Sequence, residues 1–313
     1  MPTLKLVETA PPTKLASLVA DFLSHKRAAG NSPRTIAIYS YPLERVFLTF
    51  CAAEGVGEPG QVDQRLLNRL STQLLEEGGA RGQLSKNSVS TYLRHINLFI
   101  RWAQQEGDLP GTAKAQRPKL GRRILDVLSR EEIAAIEDAA ETERDKLIVR
   151  LLADTGIRLS ELLNLRTGDL IKHGKNSYLR IRGKGEFERM VPVPVLQRRV
   201  ERFIERGRPS DTTGDRIFVS RRRRQGLDYE PLTKSGVEQM LRVVGEKAKL
   251  RKRVYPHLFR HSYATWSLRR GMNPLQLMQI LGHSSLDMIT NVYSHLVPSD
   301  AYDAMVKVLA EDE

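Results

Sequence analysis

The sequence predicts a mainly α-helical protein with a small β-sheet, built as an N-terminal four-helix domain followed by a C-terminal α+β domain. Three observations lead there. Residues 13–105 place apolar residues at helical spacing and show no strand pattern. Residues 107–123 (GDLPGTAKAQRPKLGRR) then break the periodicity with two prolines and three glycines. Beyond them, helical patterns enclose one stretch, about 177–195, that reads as short strands around a turn. The expected organisation is a helical domain over 13–106, a linker over 107–123, an α+β domain over 124–298 and a C-terminal helix or tail over 299–313.

Leu15, Leu18, Val19, Phe22 and Leu23 recur at i, i+3, i+4, i+7 and i+8, which marks one apolar helix face ended by Gly30. Ser32 is an N-cap with Pro33 at the first helical position. The second helix runs through Ile36, Tyr39, Leu43, Val46, Phe47 and Phe50. Pro42 bends it, because proline has no N–H for the preceding turn. A third helix covers about 62–77 and stops at Gly78-Gly79. Ser85 caps a fourth, with Val89, Leu93, Ile96, Phe99, Ile100 and Ala103 on one face. In the second domain, helices are expected over 129–140, opened by the Ser129/Glu132 capping box, and over 143–154. Tyr178, Leu179 and Ile181, then Met190, Val191 and Val193, form strands on either side of Gly183-Lys184-Gly185. Helical patterns return at 195–206, 234–249, 258–270, 274–281 and 285–295, and Ala301, Met305, Val308 and Leu309 close the chain.

Composition narrows the function. The first residues, MPTLKLVETAPPTK, hold no hydrophobic segment of the kind a secretory leader needs. No apolar run approaches the roughly 18 residues of a membrane span, so no membrane partner is expected. A single cysteine, Cys51, excludes an internal disulfide framework and fits a reducing compartment. Net charge is +13, which points to a polyanionic partner or, more plainly, to a solubilising surface. Its distribution favours the partner: residues 216–253 hold 12 Lys/Arg, including Arg221, Arg222, Arg223 and Arg224, against 4 Asp/Glu. A local surplus is what a phosphate-tracking surface requires.

Four segments are dense in groups useful for phosphate chemistry. They are TGIRLSEL with Arg158, the turn with Lys184, HLFRHSYAT with His257 and Arg260, and LGHSSLDMITNVYSH with His283 and Tyr293. Each has an ordinary structural reading. Arg158 can pair with Glu161 across one helical turn. Lys184 can be a solvated turn residue, and His257 and Arg260 can share an exposed helix face. Tyr293 can be a half-buried tyrosine among Ile289, Val292 and Leu296. His257 and His261 have the i, i+4 spacing of a zinc pair, but Leu258 stands where an H-E-x-x-H base would be, so no metal is expected. No phosphate-binding loop of the G-x-x-x-x-G-K-[ST] kind anchors an NTPase reading.

Taken together and in this order, the four segments resemble the tyrosine recombinases, also called the phage integrase family. The likeness covers roughly 13–310 and rests most firmly on 155–296. It implies a core-binding (SAM-like) N-terminal domain, a tyrosine-recombinase catalytic domain, and a two-domain clamp on double-stranded DNA. It also implies six catalytic residues, Arg158, Lys184, His257, Arg260, His283 and the nucleophile Tyr293. The start of the first helix near residue 13 leaves no room for an arm-binding domain, so the short Xer-like type is the nearer likeness. The working state so implied is a homo-tetramer on two DNA sites, or a hetero-tetramer with a related recombinase, in the cytoplasm on the nucleoid. The segment over 299–313 either docks on a neighbouring subunit or packs on its own core.

The residue types suit the chemistry. Two guanidinium forks match the non-bridging oxygens of a phosphodiester. A tyrosine with a pKa near 10 is about one part in a thousand ionised at pH 7, a deficit of roughly 4 kcal/mol that nearby positive charge and a proton acceptor offset. By resemblance His257 is that acceptor, Lys184 protonates the departing 5′-oxygen and His283 bonds to the phosphate. A 3′-phosphotyrosine ester retains the bond energy, so no ATP is expected, and two arginines supply the charge, so no metal or other cofactor is expected. Arg34, Lys86, Asn87 and Arg94, with Ser32 and the run Arg221–Arg224, are candidate DNA contacts, each also readable as a cap or a solvated side chain. Two other functions stay open at this point: a type IB topoisomerase, which shares the catalytic set, and a non-catalytic DNA-binding protein on the same scaffold.

Overall fold

The computed structural model describes residues 13–78, 82–121, 126–183, 188–223 and 229–282. The chain divides into two compact units, one up to Arg122 and one from Arg123.

The first unit is helical. Helix α1 (Lys14–Ala28) buries the five residues of its predicted stripe, Leu15, Leu18, Val19, Phe22 and Leu23, and the Thr13 hydroxyl caps it by accepting from the Ala16 N–H. Ser32 caps α2 (Pro33–Ser40), accepting from Thr35 N–H. Pro42 cannot donate to the carbonyl four residues back, and the helix widens into a π-helical stretch, Tyr41–Phe47, before resuming as α3 (Leu48–Ala53). The expected bend therefore takes the form of a π-segment that turns Leu43 and Phe47 inward. Helix α4 (Gln64–Glu76) is capped by Asp63, and α5 (Lys86–Glu106) by Ser85. Gly107, at φ 87, ends α5 in the left-handed conformation that a glycine adopts without penalty. The core is aromatic at its centre: Phe22 meets Phe99 edge-on at 5.7 Å and lies 5.4 Å from Trp102. The segment after α5 is tied down. Leu109 and Ala115 are buried in this core, and Asn97 exchanges two hydrogen bonds with the backbone of Ala115.

The second unit packs helices against one face of a three-stranded antiparallel sheet. Helix α6 (Arg130–Ala139) opens with the predicted Ser129/Glu132 capping box, and α7 (Glu143–Thr155) runs beneath it. Helix α7 is the central element: Leu147, Ile148, Val149, Leu151 and Leu152 are all buried, so truncating one leucine there costs about 2–5 kcal/mol. After the short α8 (Leu159–Asn164) come β1 (Leu170–His173), β2 (Asn176–Arg182) and β3 (Glu188–Pro192), in spatial order β1-β2-β3. Leu179 and Ile181 on β2 and Val191 on β3 face the core, as alternation requires. Helix α9 (Gln197–Arg202) continues as a π-helical turn, Phe203–Gly207. A hairpin of β4 (Val219–Arg223) and β5 (Tyr229–Pro231) precedes α10 (Lys234–Lys247), α11 (Pro256–Arg269) and α12 (Pro274–Leu281). Strands β1, β4 and β5 were not expected. β1 is four residues long with only two apolar ones, and β4 coincides with the arginine run. The helical patterns expected at 285–295 and after residue 299 lie outside the described residues.

Candidate active site

Four elements meet where α12 ends. Gly156 closes α7 at φ 61, and the chain turns at once into Arg158, which stands at the N-cap of α8. A Cβ at Gly156 would lie 2.6 Å from the Tyr263 ring and 2.8 Å from Leu281, so this approach of α7 to α11 and α12 needs a glycine. Its carbonyl accepts a bond from Arg260 Nη1 at 2.7 Å. Arg260, only 2% exposed, also donates from Nη2 to the Leu281 carbonyl at 2.7 Å. Arg158 donates from Nη1 to the same carbonyl at 3.4 Å and from Nη2 to the Gly282 carbonyl at 3.1 Å. Two arginines 102 positions apart in the sequence thus grip one helix C-terminus, whose unsatisfied carbonyls carry partial negative charge.

Glu161 braces the group. Its Oε1 accepts from Arg158 Nη1 at 2.9 Å and its Oε2 from the Arg158 N–H at 2.8 Å. Arg189 on β3 adds a bidentate pair at 3.0 and 2.8 Å. Burial alone would raise the Glu161 carboxyl; hydrogen bonds from Arg189 and then Arg158 hold it below the ordinary range. Burial, and next the charge of Arg158, push Arg260 down to about 9, which still leaves it charged at neutral pH.

Arg158, Arg260 and His257 line one open cleft of about 630 Å³, joined by Ser160, Lys234 and Arg253. Lys234 and Arg253 come from the basic stretch singled out in the sequence. His257, in the first turn of α11, is exposed at this cleft. Its pKa is lowered, first by lost solvation and then by the charges of Arg260, Lys234 and Arg158, with Glu238 opposing. These surroundings favour the neutral imidazole, whose unprotonated ring nitrogen can accept a proton. The arrangement can clamp an anion with two guanidinium groups beside a neutral base.

Three of the six expected catalytic residues are thus brought together. The other three, Lys184, His283 and Tyr293, lie outside the described residues. Strands β2 and β3 pair as far as Arg182 opposite Glu188, and Lys184 belongs to the connection between them. Helix α12 ends two positions before His283. Arg158 does pair with Glu161, as its structural reading had it, and lines the cleft as well. Arg189 was missed altogether. Of the candidate DNA contacts, Arg34 on α2 and Lys86, Asn87 and Arg94 on α5 are exposed. Arg221, Arg222 and Arg223 belong to β4, and Arg224 lies outside the described residues. Among the described residues no helix is long and apolar enough to cross a membrane.

Known proteins resemble this chain. A tyrosine recombinase XerA of Thermococcus onnurineus is 30% identical over 281 residues, covering 88% of this chain and 90% of the relative. The tyrosine recombinase XerC of Oceanobacillus iheyensis is 29% identical over 287 residues, covering 88% and 90%. The Tn1549 transposon integrase, solved in complex with circular intermediate DNA, shares the fold with a TM-score of 0.71 at 19% identity, over 94% of this chain and 99% of that one. The family model for the phage integrase family matches residues 126–299, more than half of the chain, and spans the whole cleft just described. The chain belongs to the phage integrase family, the tyrosine recombinases.

Proposed function

We propose that the protein is a site-specific recombinase that cuts and rejoins double-stranded DNA through a 3′-phosphotyrosine intermediate, without metal or ATP. The Tyr293 oxygen attacks a backbone phosphorus in line, the bond from phosphorus to the 5′-oxygen breaks, and the tyrosine keeps the 3′-phosphate as an ester. A 5′-hydroxyl from another strand then attacks the same phosphorus and expels Tyr293. Arg158 and Arg260 hold the non-bridging oxygens, where negative charge accumulates. His257 accepts the tyrosine proton, Lys184 gives a proton to the departing 5′-oxygen, and His283 donates a hydrogen bond to the phosphate. The observation that carries this reading is the convergence of Arg158 and Arg260 on the Leu281 carbonyl, in one cleft with His257.

The rest of the chain serves the same task. Residues 13–106 form the core-binding domain, 107–123 the linker and 124–298 the catalytic domain, while 299–313 pack on their own core or pass to a neighbour. Arg34, Lys86, Asn87, Arg94 and the run from Arg221 to Arg224 contact the DNA backbone. The working unit is a tetramer on two DNA sites, of this chain alone or with a related recombinase, on the nucleoid in the cytoplasm.

Trapping the covalent complex in cells and sequencing the attached DNA tests this. The intact protein should yield tyrosine-linked DNA enriched at one sequence. Tyr293→Phe should still bind that sequence and yield no adduct. An adduct in Tyr293→Phe would remove Tyr293 as nucleophile. Rapid relaxation of a supercoiled plasmid that lacks the site would instead assign a type IB topoisomerase activity.

A further inference from the structure

Resting on that reading, we propose that Arg189 is a positioning residue for strand transfer: it ties the hairpin that carries Lys184 to the end of α12, from which the chain runs on to His283, and it keeps Arg158 aimed into the cleft.

Arg189 has none of the roles assigned above and does not line the cleft. Its side chain is 6% exposed. Burying an arginine is costly, and each nitrogen of this one has an acceptor: Nε donates to the Ile280 carbonyl at 2.7 Å, while Nη1 and Nη2 grip Glu161. Simple neutralisation of Glu161 does not call for it, since Arg158 already supplies a positive partner at 2.9 Å. The second arginine changes how the first is held. A carboxylate facing a single guanidinium takes it as a bidentate fork. That would spend both Arg158 nitrogens on Glu161 and draw the fork away from the end of α12, where it now reaches the Leu281 and Gly282 carbonyls. With Arg189 occupying one position on each Glu161 oxygen, Arg158 gives Glu161 a single guanidinium nitrogen, and its Nη2 reaches Gly282 instead.

The same guanidinium sets the path of the chain leaving α12. Gly282 adopts φ 65, and a Cβ there would lie 2.9–3.1 Å from Nη1, Cζ and Nε of Arg189. The backbone passes flat against the guanidinium, which only a glycine permits. Arg189 therefore links β3, Glu161 of α8 and the Ile280 carbonyl of α12. A displacement of the hairpin reaches Glu161, and through it Arg158, by charge-assisted bonds.

The test uses the DNA sequence recovered by covalent capture, with Arg189→Met and Arg189→Lys in the full chain. Two quantities are read: the dissociation constant for the duplex and the single-turnover rate of adduct formation at saturating protein. Arg189→Met should slow the rate about 10- to 100-fold, as loss of a supporting bond does in other sites, and leave the dissociation constant within about twofold. Arg189→Lys keeps the charge and loses the fork, so it should recover part of the rate. A rate for Arg189→Met within about threefold of the parent overturns the proposal, as does weaker binding in step with the slower rate. Should Arg189→Met not fold, Arg189→Lys decides: a parental rate overturns the proposal and an intermediate one supports it. If the parent itself forms no Tyr293 adduct, it is the functional reading that falls.

Discussion

Replacing Gly156 by alanine separates two costs that the fold imposes at one position. The residue sits at φ 61, and an added Cβ meets Tyr263 at 2.6 Å and Leu281 at 2.8 Å. A left-handed conformation costs an ordinary L-residue about 1–2 kcal/mol. Forcing a methyl group into a filled core costs about 1–3 kcal/mol. Together the substitution should destabilise the second unit by about 2–5 kcal/mol, or about 4–20 °C in melting temperature for a unit of this size. Gly174→Ala is the internal control. Gly174 has φ 60 and nothing within 4 Å of its built Cβ, so only the first cost applies there. Thermal and urea unfolding of both variants in the full chain give the difference, which isolates the crowding of Tyr263 and Leu281. Equal destabilisation of the two would refute the claim that close approach, and not backbone conformation alone, requires a glycine before Arg158.

Other outcomes follow from the same geometry. Arg158→Ala or Arg260→Ala should lower the single-turnover cleavage rate by about 10²–10³-fold while changing DNA affinity far less; parallel loss of both would contradict their role as charge stabilisers. Because the His257 pKa is lowered, activity should persist at neutral pH and fall on the acid side only below the ordinary histidine range near 6.5. Glu238 opposes that shift, so Glu238→Gln should move the acid limb lower still, and a move upward would remove His257 as the group titrating. Cys51 is 1% exposed, and burial first, then Glu54, push its thiol up to about 12. It should resist alkylation in the native protein and react on unfolding; equal rates in the two states would show that the first unit opens readily.

Local physics made most of the fold legible. Caps and stripes are written in neighbouring residues, so Ser32, Ser85 and Ser129 all cap as expected, and α1 buries the five residues of its stripe. What the sequence hid depends on distant partners. Strand β1 is held by pairing Leu170 with Leu179, and nothing in Leu-Ile-Lys-His announces it. The arginine run reads as charge, and its backbone nevertheless forms a hairpin edge. At the site, Arg158, His257 and Arg260 could be singled out, whereas Arg189 looked like one more charge on a polar hairpin. The signal was there in the alternation. Arg189 and Val191 are two apart on one strand, so they share the inward face, and an arginine facing a core has to find a carboxylate. Glu161 was visible only as a local partner of Arg158.

The choice of anchors explains how the site stays positive while it is built of buried arginines. Among the described residues, Arg158, Arg189 and Arg260 bring three positive charges around the Glu161 carboxylate. Four further acceptors are backbone carbonyls, of Gly156, Ile280, Leu281 and Gly282. Carbonyls satisfy guanidinium donors without cancelling their charge. Carboxylates in those places would give firmer grips and leave the cluster no net positive charge to stabilise a phosphate in the transition state. The end of α12 meets this need because its last carbonyls lack helical partners and carry a partial negative charge of about half a unit. Two glycines bound the arrangement: Gly156 lets the chain approach Tyr263 and Leu281, and Gly282 lets the backbone pass against the Arg189 guanidinium. Positive charge is thereby fixed in place without a ligand, and on the proposed function a bound phosphate would become its counter-ion.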